Sequence, residues 1–108
     1  MMAWVILIVA GLFEVAWAYF LKTSKGFSEL WPSVAFFITL FVSMGLLGWS
    51  LNHLPMGTAY AVWTGVGAVG TAILGIALFG EPATAFRIGS IALIVLGIAG
   101  LKYATIAG

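Results

Sequence analysis

Cysteine is absent from all 108 residues, which excludes disulfides and thiolate metal sites. Charge is almost as scarce, at 6% of the chain: four Lys or Arg and three Asp or Glu. A soluble domain of this length needs a polar surface, and so few charged side chains do not supply one. One histidine and three scattered acids give no metal cage, so no metal is expected. The formal net charge of +1 is too small to imply nucleic acid or a polybasic lipid anchor. No nucleophile–base pair stands out either, so neither an enzyme nor a cofactor is expected.

What is present is apolar: 64% of the residues are hydrophobic. Only lipid suits such a chain as solvent, and an all-α membrane protein of four transmembrane helices is expected. The apolar stretches run over residues 2–21, 33–51, 58–79 and 88–105, each about as long as a helix needs to cross a bilayer. The three prolines, Pro32, Pro55 and Pro82, fall between stretches, where proline is favoured. The connecting segments are too short to fold separately, so residues 1–108 make a single four-helix transmembrane domain. Ala16-Trp17-Ala18 matches a small-x-small cleavage site, but no basic residue precedes the first stretch and Glu14 interrupts it. A cleaved signal peptide is therefore not expected.

Lys22, Lys25 and Arg87 fall on one side of such a bundle and Lys102 on the other. This slight bias permits insertion in both directions. Four helices make too thin a bundle to wall a pathway on every side, and many transporters use two halves inverted about the membrane plane. The simplest functional unit is thus two copies paired antiparallel, a dual-topology homodimer.

Glu14 is the only acid at bilayer depth, because Glu29 and Glu81 lie between stretches. A charged acid there costs roughly 2.5–3.5 kcal/mol on insertion scales. It persists either as a protonated hydrogen-bond donor between helices or as a site where a proton and a cation compete. Around it, Ala10 and Gly11 precede by one turn, and Trp17 and Ala18 follow by one turn. Trp17 offers an indole wall and an N–H donor. In the third stretch Tyr60, Trp63, Thr64 and Gly67 share a face, and the Tyr60 hydroxyl and Trp63 indole can orient a carboxylate. Gly11 lets another backbone approach, while Gly65, Gly67 and Gly70 permit close packing or a bend. Ser43 is the deepest hydroxyl of the second stretch and the best candidate partner for Glu14, although bonding to its own helix is the commoner fate of such a group. His53 reads as a solvated turn residue. Gly89, Ser90, Gly97 and Gly100 give the fourth stretch a small-residue surface suited to packing, with Gly89 and Gly97 assigned to the dimer contact.

The run Ala10-Gly11-Leu12-Phe13-Glu14-Val15-Ala16-Trp17-Ala18 resembles the first helix of the small multidrug resistance transporters, specifically their guanidinium exporter (Gdx) subtype. Lys25-Gly26-Phe27, Pro32-Ser33, residues 54–65, Gly80-Glu81-Pro82 and Gly100-Leu101-Lys102 continue the likeness over essentially the whole chain. The resemblance implies an antiparallel homodimer in a bacterial inner membrane. It implies proton-coupled export, with Glu14 of both copies as the shared proton and substrate site, and Trp17, Ser43, Tyr60 and Trp63 lining the pocket. The subtype rests mainly on Trp17, since an indole beside the acid favours a compact planar ion such as guanidinium. Guanidinium suits paired carboxylates because its coplanar N–H donors form bidentate bonds. Lys102 matches a lysine of that branch with no assigned role. Glu29 departs from the pattern, standing where many relatives carry a basic residue. The competing readings are an exporter of quaternary ammonium drugs in the same family, a structural membrane subunit, and a passive channel.

Overall fold

A backbone surrounded by hydrocarbon must satisfy its own hydrogen bonds, and the apolar stretches do so as helices. The computed structural model describes residues 2–107, with α1 at Met2–Thr23, α2 at Leu30–Leu51, α3 at Met56–Leu78 and α4 at Ala85–Ala107. All four are long and apolar enough to cross a bilayer, as befits a multi-pass membrane protein.

Most ends differ from the apolar boundaries by one to three residues. α2 begins at Leu30 rather than residue 33, which puts Pro32 inside its first turn. Proline is tolerated there because the N–H it lacks has no helical partner anyway. Glu29 is accordingly the N-cap residue of α2, and Pro55 that of α3. α4 begins at Ala85 rather than residue 88. The Thr84 hydroxyl accepts from the Arg87 N–H at this end, and the Arg87 guanidinium donates to Glu81 at 2.9 Å.

The closest packing lies in one half of the bilayer. Trp4, Leu7 and Ala10 of α1, Leu47 of α2, and Ala59, Val62 and Trp63 of α3 form the buried core. All seven lie in the half nearer the α2–α3 connection. α1 packs on α2 and α3, whereas α4 packs on α3. The contact with α4 is made at Gly65, against which Ile98 and Ile94 rest. Lys102 adds a tie across the bundle, its ammonium 4.6 Å from the centre of the Trp4 ring. The chain measures 46 × 35 × 17 Å. The shape is flattened, and Glu14 is only partly covered within one copy.

The connection between α1 and α2 is the most constrained of the three. Lys25, Gly26 and Phe27 all have positive φ, at 50°, 71° and 67°. Left-handed backbone costs roughly 1–2 kcal/mol for each residue that carries a Cβ. Ser24, fully buried, holds the turn: its hydroxyl donates to the Leu21 carbonyl at 2.7 Å and accepts from the Phe27 N–H at 3.2 Å. Its carbonyl also accepts from the N–H groups of Ser28 and Glu29. Replacing Ser24 by Ala leaves the Phe27 N–H without its acceptor, so thermal unfolding in detergent should show a loss of about 1–2 kcal/mol. Unchanged stability would mean the hydroxyl does not hold the turn.

Candidate functional site

Three helices converge one turn before Glu14. Thr39 and Ser50 of α2 donate their hydroxyls to carbonyls of their own helix, as membrane hydroxyls commonly do. Ser43, fully buried between them, instead donates to the Ala10 carbonyl of α1 at 2.7 Å. The Trp63 indole N–H of α3 donates to the same Ser43 oxygen at 3.0 Å. A chain of donors thus runs from α3 through α2 to α1. It ends on Ala10, the residue four before Glu14, whose carbonyl faces the Glu14 N–H along the helix.

Ser43 and Trp63 are therefore beside the acid, but within one copy they bond to each other and to backbone rather than to the carboxyl group. The reason is their level: both lie a turn short of it. Tyr60 stands one turn further along α3, its ring tilted against Trp63 with centroids 5.7 Å apart. It is 57% exposed, so its hydroxyl is free to meet something outside this chain.

The Glu14 side chain crosses to α3 and lies on Gly67, so close that a Cβ there would fall inside the carboxyl group. Flanking contacts have the same form, with Val66 of α3 set against Gly11 and Val15 of α1 set against Gly70. Knobs from each helix enter glycine notches on the other, which fixes the level at which Glu14 meets α3. At these glycines the neighbouring helices approach closely, and α3 runs through Gly65, Gly67 and Gly70 as one helix. Among the described residues, the buried Glu14 Oε1 and the buried Trp17 Nε1 have no hydrogen-bond partner. An acceptor and a donor thus stand unpaired on one helix face, where each unmade bond carries a desolvation cost.

Gly89, Gly97 and Gly100 behave differently. A Cβ built on any of them meets nothing within 4 Å among the described residues, so the small-residue surface of α4 is open in a single copy. His53 is exposed, its Nδ1 3.1 Å from the Trp49 carbonyl and its ring stacked on that indole.

Sequence reasoning missed the Ala10 carbonyl, which carries no side-chain signal. It also missed Phe36, buried on α2 and edge-on to Trp17. The place of Gly67 on the face of Tyr60 and Trp63 was the available signal for the Glu14 seat.

Ser43→Ala should remove two hydrogen bonds at once and lower stability by about 1–3 kcal/mol in detergent unfolding. A neutral outcome would mean the Trp63–Ser43–Ala10 chain does not clamp the helices.

A family model described as Small Multidrug Resistance protein matches residues 2–94. The chain is 60% identical over 104 residues to the guanidinium exporter of Escherichia coli (strain K12), covering 96% of this chain and 99% of that one. It is 58% identical to the guanidinium exporter of Yersinia pestis and 55% identical to that of Proteus vulgaris, each over 96% of this chain and all of the relative.

Proposed function

This chain belongs to the small multidrug resistance family, and from that premise we propose that it exports guanidinium and small substituted guanidinium ions in exchange for protons. The observation that carries the reading is the Glu14 carboxyl group, seated on Gly67 with its buried Oε1 left without a partner among the described residues. The relatives bearing the name guanidinium exporter supply the cargo. The reading makes the chain a transporter and not an enzyme.

The working unit is an antiparallel homodimer in a bacterial inner membrane. Its support is geometric. Glu14 is only partly covered in one copy, and α4 carries an open surface at Gly89 and Gly97 for a second copy. Pairing two inverted copies sets the tightly packed half of each level with the looser half of the other. Exchange of those roles between copies is the symmetry on which alternating access rests.

In the pair, the two Glu14 carboxyl groups face a common space lined by Trp17, Ser43, Tyr60 and Trp63. Guanidinium offers coplanar donors to two carboxylates. Protons neutralise the same oxygens, so the two ligands exclude one another and each lowers the affinity for the other. Exchange follows from that exclusion, since the reaction cycle passes only with the site loaded by one or the other.

Protein reconstituted alone into liposomes should drive guanidinium uptake from a pH gradient, and Glu14→Gln should abolish it. Uptake that ignores the gradient would establish a channel instead, and preference for a bulky tetraphenylphosphonium-like cation would establish the drug-exporting branch. No uptake by the wild-type protein would leave the structural-subunit reading. Gly67→Ala, which puts a methyl where the carboxyl group now lies, should weaken guanidinium binding at least about tenfold, equivalent to about 1.4 kcal/mol. Wild-type affinity in that variant would show that the Gly67 seat is not needed.

A further inference from the structure

The motif Lys25-Gly26-Phe27 does more than close a turn. Its left-handed backbone delivers the Phe27 ring onto α2, where it meets Phe36 edge-on at 5.3 Å and stacks on Phe37 at 5.9 Å. A bulky residue at positive φ is an outlier that persists only where its surroundings determine it. Phe36 in turn is buried, and presents its ring to Trp17 at 5.9 Å with the planes 86° apart. The aromatic series thus runs from the α1–α2 connection, through α2, to the indole one turn beyond Glu14.

The Trp17 N–H has no partner among the described residues. Within one copy, then, packing and not a hydrogen bond fixes the ring. Aromatic pairs have preferred geometries, and an edge-on neighbour resists both tilting and sliding of the ring it touches.

We propose that Phe36, backed by Phe27 from the strained connection, is a positioning residue that holds the Trp17 indole in place and so sets the size of cation the pocket accepts. The size effect rests on the reading above that Trp17 lines the cargo site; the bracing itself does not. Phe36 touches no cargo and acts only through Trp17.

The bracing is tested on the full-length protein labelled with 5-fluorotryptophan in lipid nanodiscs. The Trp17 fluorine resonance is assigned by its loss in Trp17→Phe. Phe27→Ala, in an exposed loop, and Phe36→Leu should each shift or broaden it, while the resonance of Trp49, stacked on His53 at the other end of α2, stays put. A Trp17 resonance unmoved in both variants overturns the proposal.

The size effect is tested in proteoliposomes. Phe36→Leu should raise KM for guanidinium about three- to tenfold, the range expected for losing one aromatic pair, with kcat within about twofold. It should also admit bulkier substituted guanidinium ions, and Phe36→Tyr should restore both properties. In a Trp17→Gly background, Phe36→Leu should change selectivity no further. An equal change with and without Trp17 overturns the assignment, because Phe36 would then act by another route. Absence of guanidinium transport in the wild-type protein would sink the proposed function, and the fluorine resonances would still decide the brace.

Discussion

A carboxyl group within an apolar bundle is costly to charge, and among the described residues of one copy the buried Glu14 Oε1 meets no compensating donor. The surrounding structure is organised around that single unfavourable placement. Gly67 clears the space into which the carboxyl group fits, and the notches at Gly11 and Gly70 lock α1 against α3 at that level. One turn away, Trp63 and Ser43 tie α3 and α2 to the Ala10 carbonyl of α1. The acid is seated closely on Gly67, and among the described residues its buried Oε1 has no partner. On the proposed reading, that unpaired acid is what a ligand of positive charge meets.

Close seating on Gly67 and partial exposure of Glu14 are complementary. The close-packed core, from Trp4 and Leu7 to Val62 and Trp63, occupies one half of the membrane thickness, and Glu14 lies just past its end. Beyond it, apolar surface of α1 and α3 around Val15, Tyr19, Leu74 and Leu78 borders a groove rather than a filled interior. In the proposed dimer this asymmetry is the useful property, because inversion places a firm half of one copy beside a yielding half of the other. A symmetric bundle of four short helices, packed equally throughout, would have no such alternative to exchange.

Much of this arrangement is legible in the residues. The four helices follow from apolar length, and at the start of α2 Pro32 is absorbed into the first turn because its missing N–H does no harm there. Glu14 stands out because ionisable groups are so rare in the chain. Partnerships are harder to read. Ser43 and Trp63 were recognisable as polar groups at the right depth, but a shift of one helical turn decides whether they meet a side chain or a backbone carbonyl. Hydropathy does not resolve one turn. The same holds for Phe36, whose significance lies in its orientation to Trp17 and not in its chemistry.

The account depends on a proton and a guanidinium ion competing for one pair of carboxyl groups. Adding guanidinium to the purified protein in weakly buffered detergent solution and recording the pH measures that competition without transport, membranes or a gradient. The account predicts that protons are released as guanidinium binds, and that the Glu14→Gln protein releases none. Guanidinium binding with no proton release, across a range of starting pH, would contradict it.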